Sequence, residues 1–222
     1  MRTDFPTLLK SPDETYAEGL RFFEGKGMLN EALKRLAADL AEHKIEYSVI
    51  GAAALNRHGY KRFTADIDII LSPDGLAKFQ SELVGKGYRP AFTGATKTFR
   101  ETEHNVPIEI IVSGEYPGDG KPKPVRFPEP GERYVVIDSI KTVDLAKLIE
   151  LKLASGLSGR GRLKDLADVQ ELIRVKSLGE EMAAQLDASV RDKYIELWED
   201  IRAANEAGDP FSERPPNTLE EN

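Results

Sequence analysis

Two aspartates, Asp66 and Asp68, interrupt the isoleucine-rich run Ala65–Leu71, ADIDIIL. Apolar and polar residues alternate through it, which predicts a strand. In a strand, residues i and i+2 project from the same face. Asp66 and Asp68 therefore share a face, with roughly 7 Å between their Cα atoms. Ile67, Ile69 and Leu71 share the other face and can bury it. Two like charges so close raise their own pKa unless something positive neutralises them. A hard divalent cation does this directly, and Mg²⁺ takes one or two carboxylates together with waters and substrate phosphates.

A third acid fits the same pattern. Glu109 interrupts Val106–Val112, VPIEIIV, with Ile108 and Ile110 flanking it. If this strand lies beside ADIDIIL, Glu109 joins Asp66 and Asp68 on the open face. Three carboxylates on neighbouring strands can hold two metals about 3.5 to 4 Å apart. Fifteen residues before Asp66, the run Glu46–Gly51 (EYSVIG) reads as a strand ending at Gly51. The alanine-rich stretch after it reads as a short helix stopping at Gly59. A glycine at such a turn lets the backbone approach a ligand closely, and the first N–H groups of the helix suit an anion. Arg62 and Thr64 alternate with Asp66, so an extended segment sends them to its side, where Arg62 can meet phosphate or orient a carboxylate. Each feature also has a plainer reading. Asp-x-Asp on an edge strand is commonly solvated, Glu109 suits an outward edge position, Gly51 suits a helix start, and Arg62 suits a surface salt bridge.

The rest of the chain frames this core. Residues from about Pro12 to His43 read as helices: Ser11–Gly25 opens on a Ser-Pro-Asp-Glu cap signal and closes on glycine, and Met28–Lys44 carries Leu29, Leu33, Leu36 and Leu40 at helical spacing. Pro73–Gly87 is a helix bounded by Pro-Asp and Gly. Lys97–Thr102 and Val106–Val112 form a strand pair turning near His104 and Asn105. Gly114–Pro130 is a Pro/Gly-rich loop, and Arg133–Asp138 is a further strand. Residues from Thr142 to about Asn205 read as helical. About five strands are expected, giving an α+β fold: a small mixed sheet flanked by helices, with a helical C-terminal region. The expected organisation is a core with N-terminal helices over 1–141, a helical domain over 142–207, and a disordered, proline-rich tail over 208–222.

The chain of 222 residues carries a formal net charge of -7. A protein that grips duplex DNA through many phosphates usually shows a basic face. The richest basic cluster here, Lys121, Lys123 and Arg126, sits in the Pro/Gly loop, so strong duplex binding is not expected. No run of eighteen apolar residues predicts a membrane span, and Met1–Lys10 has no long apolar stretch of the kind a signal peptide needs. The chain has no cysteine, which excludes disulfides and thiolate metal sites. A cytoplasmic protein with no membrane partner is expected.

Together, VIGAAAL, RFTADIDII and PIEII resemble the nucleotidyltransferase fold of the DNA polymerase beta superfamily across roughly residues 45 to 112. The nearest flavour is the small bacterial nucleotidyltransferases, including abortive-infection toxins of the AbiEii type. A second stretch, Leu148–Ile173, resembles the AbiEii-type segment in which a lysine-bearing helix is followed by a basic turn and a Lys/Arg-Asp-x-x-Asp helix. The matching residues are Lys152, Lys164, Asp165 and Asp168. The sequence departs from the family at Ala52, where Gly or Ser is usual, and at Glu109, where aspartate is more usual.

The resemblance implies a nucleoside triphosphate and Mg²⁺ or Mn²⁺, with a nucleoside monophosphate passed to an acceptor hydroxyl on RNA such as tRNA, on a protein or on a small molecule. It implies that Asp66 and Asp68 hold metal and that Glu109 completes the site as metal ligand or base. Gly51 and Ala52 would cradle phosphate, Arg62, Thr64 and Lys152 would serve the nucleotide, and Asp165 would support them. It also implies a possible toxin role with an antitoxin partner. The alternative is a catalytically inactive relative that binds nucleotide or engages a partner protein.

Overall fold

The computed structural model describes residues 4–207; the expected tail lies outside them. The first helices follow their capping signals. α1 (Phe5–Leu8) is capped by Asp4, and α2 (Pro12–Phe23) by Ser11, with proline in the first turn of each. α3 (Met28–Glu42) starts at Gly27 with no side-chain cap of its own. Its open Met28 N–H donates instead to Oε1 of Glu18, a fully buried residue of α2, at 2.6 Å. The four leucines of α3 predicted from spacing are all in the core. Next come β1 (Ser48–Ile50), α4 (Gly51–Arg57), β2 (Ile67–Leu71) and α5 (Pro73–Glu82), the last capped by Ser72. β3 (Tyr88–Pro90), β4 (Thr98–Glu101), β5 (Pro107–Val112), β6 (Tyr134–Ile137) and β7 (Ile140–Val143) complete the sheet. Helices α6 (Leu145–Leu157), α7 (Leu163–Lys176) and α8 (Ala188–Glu206) follow.

The sheet is mixed, in the order β3-β4-β5-β2-β1-β7-β6. Its centre is built by β2, antiparallel to β1 and parallel to β5. One face presents Val49, Ile67, Ile69, Leu71, Ile108 and Ile110 to α3 and α5, where Leu33, Leu36 and Phe79 meet them. This burial of aliphatic surface is the main force holding the sheet to its helices. Alternation then leaves Asp68 and Glu109 on the opposite face.

Seven strands stand among the described residues where about five were expected. β3 is short and ends on a proline. β7 takes Thr142 and Val143, which the sequence suggested as the start of a helix; the helix begins at Leu145. Asp66 also shifts: β2 begins at Ile67, and Asp66 sits in the bend just before it. The ladder with β5 opens at the pair Ile67–Ile108. One step earlier β5 offers Pro107, which has no N–H to extend the pairing.

The contacts divide the chain into two compact units. The first comprises the residues up to Glu115 together with Arg126–Asp144, and holds the whole sheet. The second comprises Tyr116–Val125 and the described residues from Leu145 onward. Within it α6, α7 and α8 pack on one another through Leu148, Ile149, Val169, Leu172, Tyr194 and Leu197, all buried. No helix among the described residues is long and apolar enough to cross a membrane.

Candidate active site

The register of β2 and β5 pairs Asp68 with Glu109 directly. In a parallel ladder such partners lie about 4.8 Å apart and project from the same face. On the other side of β2, Ile50 is the partner of Asp68, so the end of β1 and the Gly51 turn adjoin that carboxylate. Gly51 has φ +65°, the left-handed region. A Cβ built there would fall 2.9 Å from Cγ of Asp68 and closer still to Oδ2. The glycine expected to admit a ligand thus already admits the Asp68 carboxylate. Beyond Glu109, its β4 partner is Thr98. A row of Asp68, Glu109 and Thr98 therefore runs across three strands.

Asp66 enters this region from the preceding bend. The Thr64 hydroxyl donates to its Oδ1 at 2.6 Å, so Thr64 orients an acid here. The segment from Tyr60 to Asp66 is not part of a strand, and the Asn56 side chain braces it. Asn56, on the last turn of α4, accepts from the Arg62 N–H at 2.9 Å. Its amide donates back to the Arg62 carbonyl at 2.5 Å and to the Ala52 carbonyl at 2.8 Å. This imitates a short piece of ladder and ties the Arg62–Asp66 arm to the first turn of α4. The sequence carries no signal for it, since an asparagine in a short helix usually faces solvent. Ala52 is buried and offers only its backbone.

The donor set Asp66, Asp68 and Glu109 is all carboxylate oxygen, partly or fully exposed, on adjacent chain segments. That chemistry suits a hard divalent cation. The ligand atoms of these three do not all lie within 4.8 Å of one another. Among the described residues, the His and carboxylate ligand atoms that lie within 4.8 Å of one another belong to Glu101, Glu103 and His104. Their surroundings give that cluster a structural task. Arg35 pairs with both Glu101 and Glu103. The buried Glu101 also accepts the backbone N–H groups of Glu103 at 2.6 Å and His104 at 2.9 Å. It caps the turn after β4 with its charge already met by a guanidinium.

Lys152 and Asp165 lie in the second unit. The Lys152 ammonium sits 2.7 Å from Asp165 and 2.8 Å from Asp168, and Ser155 donates to the second oxygen of Asp165 at 2.7 Å. Burial alone would raise the Asp165 pKa; the Lys152 charge, the hydrogen bonds from Lys152 and Ser155, and Arg162 outweigh it and hold the carboxyl below its ordinary value. Lys164 is exposed. The sequence-predicted residues thus fall into two groups, one around the β1–β2–β5 centre and one between α6 and α7.

No protein-family model and no curated protein matches the chain. Solved structures overlap the chain in part. The solution structure of the antibiotic-resistance factor ANT(2'')-Ia is 11% identical, with a TM-score of 0.47, over 82% of this chain and 95% of that one. A crystal structure of ANT(2'')-Ia with adenylyl-2''-tobramycin is 14% identical, with a TM-score of 0.46, over 72% of this chain and 92% of that one. A Helicobacter pylori protein assigned as a candidate nucleotidyltransferase is 14% identical, with a TM-score of 0.43, over 82% of this chain and 95% of that one. All three overlaps are below 0.5, and the functional reading rests on the geometry of the site itself.

Proposed function

We propose that this chain is a metal-dependent nucleotidyltransferase, which moves a nucleoside monophosphate from a nucleoside triphosphate to an acceptor hydroxyl, breaking the α–β phosphoanhydride bond and releasing pyrophosphate. The observation that carries the reading is the meeting of Asp68, Glu109 and the Gly51 turn at the centre of the sheet. A triphosphate approaching that turn would meet the Asp68 carboxylate. Two anions cannot share the turn without a cation between them. In this reading Asp66, Asp68 and Glu109 hold Mg²⁺ or Mn²⁺. The cation, when bound, would neutralise phosphate charge and lower the pKa of a bound hydroxyl.

The chain's own residues then position the reactants. Thr64 fixes the Asp66 carboxylate through their hydrogen bond. Glu109, the exposed member of the acid row, accepts the proton of the incoming hydroxyl. Arg62, whose backbone Asn56 fixes, presents its guanidinium to phosphate oxygens, a task for which the planar fork is suited. For Lys152 and Asp165 the proposed task is narrower: their ion triad with Asp168 stiffens the α6–α7 pair. Supplying order and charge is most of what phosphoryl-group chemistry asks of a protein.

The test is transfer of label from α-labelled nucleoside triphosphates to pools of tRNA, protein or small hydroxyl compounds, with and without Mg²⁺ or Mn²⁺. Product should require the metal and fall by at least about 100-fold in Asp68→Asn and in Glu109→Gln. Turnover that survives in the Asp66→Ala/Asp68→Ala double variant would sink the proposal.

A further inference from the structure

A cavity of about 680 Å³ lies at the C-terminal end of α4, within the first unit. Asp66, Asp68 and Glu109 do not line it. Three cations do: Lys34, Arg57 and Lys61. The two acids on its wall are Glu24, which already pairs with Lys26 at 3.2 Å, and Asp138. Its polar wall is otherwise formed by Ser139 and the amides of Asn30 and Asn56. Both amides are committed to backbone: Asn30 donates to the carbonyls of Phe22 and Lys26, and Asn56 holds Ala52 and Arg62.

Arg57 is the unusual member. Its Nε–H is buried with no hydrogen-bond partner among the described residues, and its Nη1 donates to the Ala53 carbonyl at 3.3 Å. Burial pulls the guanidinium below its ordinary pKa, with Asp138 and then Tyr47 opposing the shift. Arg57 as a whole is partly buried, and a cation taken even partly out of water is costly unless anions meet it; Asp138 offsets part of that cost. Phe22 and Phe23 also line the cavity and pack edge to face at 5.5 Å; Phe22 is buried and packs again on Phe63, while Phe23 is 37% exposed. An aromatic edge beside a fork of cations suits a flat apolar body that carries an oxyanion.

We infer that this cavity binds a small organic oxyanion, with its phosphate or carboxylate head at Arg57, Lys34 and Lys61 and its flat body against Phe23. Phosphate and carboxylate share the chemistry that a guanidinium and two ammonium groups recognise. The size is in the range of small-molecule sites, about 300 to 1,000 Å³.

The test is calorimetry and amide NMR on the full chain with three probes: inorganic phosphate, phenyl phosphate and benzoate. Phenyl phosphate or benzoate should bind one to one, shifting the amides of residues 22–25 and 56–61. Whichever head binds more tightly identifies the group preferred. Phenyl phosphate should bind at least about tenfold more tightly than inorganic phosphate, a difference of about 1.4 kcal/mol. Arg57→Gln and Lys61→Ala should each weaken binding about tenfold or more, and Asp68→Asn should leave it unchanged. If Arg57→Gln fails to fold, Lys61→Ala and Phe23→Ala change exposed side chains and still decide. The inference is overturned if no probe binds at about 10 mM, if the Lys61 and Phe23 variants bind like the parent, or if Asp68→Asn alone abolishes binding.

Discussion

At the scale of single residues, Gly51 shows how a turn can be read correctly and for an incomplete reason. Its place after an apolar strand predicted a close approach to the backbone, and the structure supplies one in the Asp68 carboxylate. Gly85 makes a useful contrast. It too has positive φ, at +86°, but a Cβ there would meet nothing within 4 Å. Forcing an alanine into the left-handed region costs roughly 1–2 kcal/mol at either position. Urea unfolding should therefore show a loss for both variants, the larger for Gly51→Ala, whose added Cβ also meets Asp68 as far back as its own Cβ at 3.1 Å. Only Gly51→Ala should also push Asp68 aside, because a carboxylate at the end of a side chain can swing where backbone cannot. Its Mn²⁺ affinity should fall by about tenfold or more, as when the support of a metal ligand is removed. Equal Mn²⁺ affinity in the two variants would separate Gly51 from the acid row. Asp68 and Glu109 were legible because charge inside an isoleucine run has few structural excuses. Asn56 was not, because its value lies in contacts with backbone that no side-chain pattern records.

At the scale of elements, local patterning located β1, β2, β4, β5 and β6 but missed β7 and β3. β7 has only four residues and runs almost directly into α6. The hairpin joining β6 to β7 turns on Asp138 and Ser139, both at positive φ, without the glycine that usually announces such a turn. The Arg62–Asp66 arm depends on Asn56 as a strand depends on its neighbour. Asn56→Ala leaves the Arg62 N–H and carbonyl without that partner, at about 1–3 kcal/mol of local stability. Tryptic cleavage after Lys61 and Arg62 should rise about tenfold while global unfolding changes less. Unchanged cleavage would mean that other contacts hold the arm. Between α6 and α7, the Lys152, Asp165 and Asp168 triad predicts a dependence on acid. The Asp165 pKa is lower in the folded chain than in the unfolded one. Its contribution is thus fully present above the unfolded value of 3.8 and is lost as pH falls below 3.8 through the folded value. Ser155→Ala removes one of the bonds that hold the pKa down. Unfolding monitored by Trp198 in α8 should show a shallower loss of stability below pH 3.8 for Ser155→Ala than for the parent. The same slope in both would place the acid sensitivity elsewhere.

At the scale of the whole molecule, a net charge of -7 makes any stabilisation by divalent cations ambiguous. Mg²⁺ could screen the chain diffusely or could fill the acid row, and the sign of one substitution separates the two. Glu109 stands directly opposite Asp68 in the β2–β5 register, and Glu109 is exposed. Like charges facing each other across a ladder destabilise it by roughly 0.2–1 kcal/mol. An acid retained for a structural ion pair would cost stability when neutralised. An acid retained for a metal should do the reverse while the metal is absent. Glu109→Gln should therefore unfold at slightly higher urea than the parent in EDTA. In Mg²⁺ the order should invert. A site filled at one hundred times its dissociation constant stabilises the parent by about 2.7 kcal/mol, and the variant should lose most of that gain. NaCl matched in ionic strength should not reproduce the inversion, because screening acts on every surface charge alike and falls off over about 10 Å at 0.1 M. If Glu109→Gln destabilises the chain in EDTA, or gains as much from Mg²⁺ as the parent, then Glu109 serves the sheet rather than a cation, and the acid row shrinks to the two aspartates from which its pattern was first read.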